Sequence, residues 1–450
     1  MAMIGARRML LATAAVTMAI STVGGVAAKP KTAASSTTEA NPLATADQNE
    51  ITRKALAAIQ TEQVRKGRDL AAFRWKAVLR DEPPAEAWPS FDSMMDDFMF
   101  NFAIKAAASD ANYPKVVHIY TPPHSWQGMA VPGSRWGGDN PDNIYRWIPI
   151  DSTGHFRLNG KVSANPPSDV SYVLVGDWNT SKTLNMVEQS DLKVNSDGSF
   201  SITLDPEPAN GRANHIQTFP DAKALFIRDS LGDWNQRANA LAIQRLDPPS
   251  APPMTDDQIA AKTADIALEA LPHVYWFYKL AHGHPNDITQ LTKSGSVGGL
   301  LTQRAGSGLA VLADDEAMLI TMDPSDAAYY SVVAHNNWWI TIDYANHTSS
   351  LNNSQITKNA DGTSTFVIAP RDPGAHNWID TGGLHTVPLV IRTQGLSKNP
   401  AREPSIKVRV VKVNELKTVL PKETVWVTPA QRHSQIIERQ GQIAARMADH

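Results

Sequence analysis

Two stretches of this chain concentrate the residue types that carry acid–base chemistry and ligand contact. The first runs from His335 through Trp338, Trp339, Asp343, Asn346 and His347 to Asn353. The second runs from Arg371 through Asp372-Pro373-Gly374, His376, Asn377, Trp378 and Asp380 to His385. Both are dense in Asn, His, Asp and Trp and poor in Lys and Glu, the reverse of a solvated loop, so something must keep these large groups ordered. An imidazole at His376 can pass protons near neutral pH, and Asp380 can orient it; His347 is a second imidazole for the same task. Arg371 can clamp a carboxylate or an oxyanion. Trp338, Trp339 and Trp378 can stack on a sugar or a flat apolar ring, with Asp343, Asn346, Asn353 and Asn377 as hydrogen-bonding neighbours. Each tryptophan alone also suits a core; the cluster as a whole reads as a ligand site.

Farther upstream, His118, Tyr120, His124, Trp126, Arg135, Trp136, Asp142, Tyr145 and Arg146 form a second polar-aromatic stretch. Tyr145 and Arg146 are expected on the opposite wall of a shared cleft. Histidines and aspartates at 335, 343, 347, 376, 380 and 385 could ligate a divalent ion, but no HExxH or EF-hand spacing is present, so no cofactor or metal is assigned and the ion stays a lesser alternative. There is no G-x-S-x-G and no cysteine, hence no thiolate nucleophile. His282-Gly-His284 follows a helix, where histidine is common. Gly306-Ser-Gly308 reads as a flexible turn.

The elements that must position these groups follow from composition and pattern. Arg7-Arg8, the uncharged apolar run Met9 to Gly24 and the small residues Val26-Ala27-Ala28 read as a cleavable signal peptide over 1–28. A periplasmic or secreted protein is the expectation, with no membrane span after cleavage; the arginine pair leaves Sec and twin-arginine export both open. A formal charge of −3 with no basic stripe points away from nucleic acid. Thirty prolines and 26 glycines argue against a helical bundle. A flexible leader covers 29–47 and a helical region 48–110, in which Phe91, Met94, Met95, Phe98 and Phe102 make a core stripe. A first β unit covers 111–250, and a helical linker 251–322 opens on Thr255 and Gln258 at capping-box spacing. A second β unit covers 323–421. A final helix within 422–450 starts at Pro429 behind Thr428.

The two β units read as copies of one another. Tyr145–Asp151 lines up with Asn337–Asp343, Asp197–Pro206 with Asp361–Pro370, and Leu225–Arg228 with Leu389–Arg392. The interval from Asp197 to Arg228 equals that from Asp361 to Arg392. Short strands, hairpin turns and no βα alternation predict a mainly β protein with flanking helices: two tandem antiparallel sandwich or jelly-roll-like units. A cleft between them is the natural ligand site.

Trp338-Trp339, Asp343, Asn346-His347, Ser349 to Asn353, Arg371 to Thr381 and the strand ending Val390-Ile391-Arg392 together resemble the DUF1214 family, over roughly residues 325–413. Asp139 to Tyr145, Phe226-Ile227-Arg228 and Asp233-Trp234 echo it in the first unit. The resemblance implies a β-sandwich or jelly-roll domain, often beside a related one, and no established mechanism. The expectation is an exported envelope protein that binds and processes a small or oligomeric organic substrate, sugar-like or a hydroxylated ring, by proton transfer. As an enzyme it would be a hydrolase or lyase. The alternative is a non-catalytic ligand-binding or envelope-assembly protein, since sandwich folds often only bind.

Overall fold

A computed structural model describes residues 40–448 apart from 178, 180, 283, 284, 289, 294–299 and 301. The expected signal peptide, most of the leader and His284 lie outside the described residues. Helices α1 (Ala46–Ile59) and α2 (Glu62–Leu79) begin where Thr45 and Thr61 accept a backbone N–H from the first turn. Helix α3 (Phe91–Ala107) is buried almost all round, and the Phe91, Met94, Met95, Phe98 and Phe102 stripe lies in the core as expected. Thr255 and Gln258 close a capping box on α4 (Asp256–Glu269), and α5 (Leu271–Ala281) follows directly. Thr428 and Gln431 do the same for the last helix, Pro429–Arg446.

The first sandwich stacks a five-stranded sheet on a four-stranded one. The five run in the order β1 (Val117–Ile119), β4 (Asn143–Pro149), β10 (Ala224–Ser230), β6 (Asp169–Val175), β7 (Thr183–Glu188). The four run β11 (Ala240–Arg245), β5 (Phe156–Lys161), β8 (Ser199–Asp205), β9 (His215–Gln217), while β2 (His124–Trp126) and β3 (Met129–Val131) make a separate hairpin. The second sandwich repeats the plan. Its five-stranded sheet is β12 (Thr292–Lys293), β13 (Arg304–Val311), β19 (Thr386–Gln394), β15 (Tyr329–Ala334), β16 (Ser350–Asn352). Its four-stranded sheet is β18 (Trp378–Asp380), β17 (Ser364–Ala369), β14 (Glu316–Asp323), β20 (Ser405–Lys412). Strands β4 to β11 correspond one for one, in chain order and in sheet order, to β13 to β20. Even the departure from antiparallel pairing repeats: β8 with β9 and β17 with β18 are parallel. The turns before β8 and β17 match too, with Gly198 at φ 84° and Gly362 at φ 85°, a region open to glycine.

Three sequence expectations are corrected. The counterpart of β4 is β13, not Asn337–Asp343, which forms a turn between β15 and β16 where Asn336 Oδ1 accepts the Trp338 backbone N–H. A short W-I-x-I-D match cannot distinguish a strand from an aromatic turn. The helical stretch after residue 251 ends at Ala281, so β13 and β14 already belong to the second sandwich rather than to a linker reaching 322. Gly306-Ser-Gly308 is strand interior, and a Cβ at Gly308 would sit 2.1 Å from the Asp287 carbonyl oxygen. Glycine there permits close backbone approach.

Period-two alternation sets which side chains leave each sandwich. Leu225 and Ile227 enter the first sandwich core, and Leu389 and Ile391 the second. Phe226 and Arg228, like Val390 and Arg392, therefore sit on the outer faces of the two central strands. The sandwiches are tied together by the segment before β4. Asp142 accepts from Trp234 Nε1 at 2.6 Å on its own side, and from Tyr329 Oη at 2.7 Å and Asn352 Nδ2 at 3.0 Å on the other. Asp139 accepts from the Thr341 hydroxyl at 2.6 Å and backbone N–H at 3.0 Å.

Candidate functional site

The outer faces of β10 and β19 border one pocket of about 400 Å³, closed on a third side by Trp276, Phe277 and Leu280 of α5. Arg228 and Arg392, the equivalent residues of the two copies, both line it. Arg228 is 8 % exposed; its guanidinium lies 4.3 Å from the Phe226 ring centre, and its Nη1 has no hydrogen-bond partner. Arg392 donates from Nη2 to the Gly138 carbonyl at 2.5 Å, and its Nη1 is likewise without a partner. Among the described residues neither is ion-paired. The carboxylate of Asp139, which also lines the pocket, is taken up by Thr341, and burial raises it to about 6. Burial holds Arg228 below the usual guanidinium range, opposed by the phenols of Tyr145 and Tyr120 and reinforced by the charge of Arg392. Two cations thus line one hollow, and among the described residues neither is in an ion pair with the one carboxylate, Asp139, that lines it with them.

The surrounding wall is aromatic and locally constrained. Gly138 stands at φ 76°, donates its N–H to the Trp339 carbonyl at 2.7 Å, and would bring a Cβ within 3.1 Å of the Trp339 ring. Trp339 itself holds φ 59°, costly for a bulky side chain, and its buried Nε1 has no acceptor. Tyr120, also left-handed at φ 61°, packs 5.0 Å from Tyr145, which stacks 5.6 Å from Phe226. Behind Tyr120, Lys105 Nζ donates to its hydroxyl at 3.2 Å, and burial lowers that ammonium to about 7.

Of the residues expected at a site, Tyr145 and Trp339 line this pocket, as do Tyr120 and Trp136 of the upstream polar-aromatic stretch; the other candidates are elsewhere. Arg146 alternates away from Tyr145 and is buried in an ion pair with Asp229 at 2.8 Å. Trp338 is helical-layer core, donating Nε1 to Ser90 Oγ at 2.9 Å and packing on Trp88 and Phe91. Asp343 accepts backbone N–H groups of Ala345 and Asn346, and Asn346 Nδ2 donates back to it at 2.7 Å. Asn353 and Asn377 bond backbone groups near Tyr330, Ala328, Thr357 and Thr365. Trp378 donates to the Ala369 carbonyl at 3.0 Å beneath the Arg432 guanidinium. His376 contacts Asn377 at 3.1 Å and borders a different cavity, of about 390 Å³, under the last helix. Arg371 is exposed and paired with Asp314 at 2.7 Å. His347 and Asp380 do meet, at 2.7 Å, but outside both cavities.

The two stretches 335–353 and 371–385 do lie side by side, and Thr348, Leu351 and His376 border the cavity under the last helix, but the other histidines, aspartates and tryptophans expected around a common hollow are not there: their side chains mostly tie turns to neighbouring strands. Among the described residues no group of three or more His, Asp or Glu side chains is placed to hold a metal. Arg228 and Arg392 are site residues that the sequence reading misses, although a signal for them is present: an arginine at equal register in both copies, one step off the apolar positions.

The His347–Asp380 pair makes a stability prediction. Hydrogen bonding to Asp380 raises the His347 imidazole, against partial burial. A raised folded value stabilises fully below the unfolded imidazole's range, about 6.5, and the benefit fades as pH climbs through the folded value. The melting-temperature gap between the native chain and His347→Gln is expected to be wider near pH ~5.5 than near pH ~8.5. A gap that widens with pH contradicts the pairing. The effect is small, because the imidazole is 39 % exposed and screened.

Residues 306–397, all within the second sandwich, match the family model described as "Protein of unknown function (DUF1214)". The fold is similar to the crystal structure of an uncharacterised protein from Burkholderia cenocepacia, with a TM-score of 0.66 and 23 % identity over 80 % of this chain and 100 % of that one. The VPA0106 protein from Vibrio parahaemolyticus is more distant, with a TM-score of 0.39 and 10 % identity over 71 % of this chain and 99 % of that one. No curated protein matches.

Proposed function

From a chain that carries a DUF1214 domain over residues 306–397, we propose that the protein binds a small organic anion between its two sandwiches, with Arg228 and Arg392 as a joint clamp. The observation that carries this reading is the pair of guanidiniums on equivalent strands, both lining one pocket and neither ion-paired among the described residues, beside an Asp139 carboxylate already held by Thr341. Unpaired buried charge is expensive, and a carboxylate or similar oxyanion supplies the missing counter-charge through charge-assisted hydrogen bonds.

A second reading adds turnover by proton transfer, as in elimination or hydrolysis. It is favoured by Tyr120, which lines the pocket in a strained conformation and rests its hydroxyl on Lys105. In that case Tyr120 handles the proton and the arginines stabilise developing negative charge. His376, Asp380, Arg371 and His347 share no cavity that would let them act together. Action in the periplasm or outside the cell is part of the proposal and rests on the residue 7–28 pattern alone.

Isothermal titration of the folded chain at low salt with acetate, benzoate, inorganic phosphate and glucose tests the clamp. Carboxylates are expected to bind at one site, glucose not at all, and Arg392→Gln or Arg228→Gln to weaken carboxylates by about tenfold or more. Equal carboxylate affinity in native and substituted chains overturns it.

A further inference from the structure

We propose that the anion is the head of an amphiphile: a carboxylic acid whose apolar body fills the aromatic middle of the pocket and leaves it across α5. This rests on the clamp reading and specifies its ligand class. Burial grades the wall from floor to mouth. Arg228, Phe226, Trp339 and Val390 are buried, Phe277 is half-buried, and Trp276 and Leu280 stand 44 % and 45 % exposed. Those last two lie four residues apart, on one face of α5, where side chains at that spacing meet. The helix does not need them for anchorage, since Val274 and Tyr278 are its buried contacts. Large apolar groups left in water beside a pocket mark a contact surface.

The grading argues against the simpler occupants. An inorganic anion would satisfy the arginines and leave the aromatic walls and the lip without a partner. A sugar acid would find hydrogen-bonding groups at Asn143, Asn179 and Ser181 but none along Phe226, Phe277, Val390 and Leu280, which an apolar body covers. An acid with a ring or chain behind its carboxylate matches all three zones, and exposed Lys293, which also lines the pocket, adds positive charge that favours an anion's approach. The pocket's volume falls in the range that encloses a drug-sized ligand.

The test is an affinity series on the whole chain: phosphate, acetate, butyrate, hexanoate, octanoate and 2-naphthoate. Each added methylene is expected to tighten binding by about threefold to fourfold until the chain clears the lip, as apolar burial requires. The Trp276→Ser/Leu280→Ser chain, altered only at exposed positions and checked for native circular dichroism, is expected to keep acetate affinity and lose the gain for octanoate and naphthoate. If acetate binding depends on Arg392 but neither chain length nor a ring improves it, the amphiphile is wrong and the clamp stands. The amphiphile is equally wrong if the lip variant keeps the full gain. If Arg392→Gln leaves acetate and octanoate unchanged, the clamp fails and the amphiphile with it.

Discussion

Asp142→Ala is expected to cost about 2–4 kcal/mol, a large loss for a single polar side chain. The carboxylate is fully buried and receives Trp234 Nε1, Tyr329 Oη and Asn352 Nδ2 at 2.6, 2.7 and 3.0 Å. Alanine leaves the buried Trp234 Nε1 without an acceptor, at a cost of about 1–3 kcal/mol, and removes the charged acceptor of Tyr329 Oη and Asn352 Nδ2, which retain only Ser331 Oγ and the Leu231 carbonyl. Two of the three belong to the second sandwich, so the loss also loosens the join that shapes the pocket. Urea unfolding measures it as a lower midpoint at unchanged slope. A loss under about 1 kcal/mol would mean that water or neighbouring groups replace the acceptor. A changed slope would show the two sandwiches unfolding separately.

The second large effect has the opposite sign. Arg228→Met is expected to raise the stability of the ligand-free chain by about 1–2 kcal/mol while removing anion binding. The substitution deletes a buried cation that faces Arg392, and keeps an apolar stem on the Phe226 ring. Arg146, an arginine of the same sheet, supplies the contrast: it is neutralised by Asp229 at 2.8 Å, so its loss would strand a buried carboxylate and destabilise. Thermal melts of Arg228→Met with and without octanoate separate the cases, since a ligand that binds only the folded state must raise the melting temperature. A destabilised Arg228→Met would make the arginine structural and remove the reason to look for an anion. A stabilised variant that no longer responds to octanoate is the signature of a group kept for binding at a cost in stability.

The two effects separate joints from sites. The Asp139–Asp142 segment resembles the richer motif of the second unit, and its carboxylates are fully consumed in joining the copies. The arginine on each central strand stands out less in the sequence, and among the described residues it is the charged group left without an ion pair.

The sequence by itself determined much of what depends on local spacing. Threonine caps mark the helix starts, Asp-Gly turns lead into β8 and β17, and alternation sends Leu225 and Ile227 one way and Phe226 and Arg228 the other. Equal intervals within the two copies carried the duplication, because a hairpin plan repeats whenever its turns and strands keep their lengths. Only the tertiary structure decided which polar groups would be satisfied. Trp338 and Trp339 are adjacent, yet one is helical-layer core and the other pocket wall, because a positive φ at Trp339 turns the chain between them. His376 and Asp380 are close in sequence, yet one borders a cavity under the last helix and the other pairs with His347. Arg228 and Arg392, far apart in the chain, come to one hollow because like strands of two like sandwiches turn their outer faces toward it. Whether a buried charge finds a partner depends on groups brought from distant segments, and residue type or spacing does not encode that.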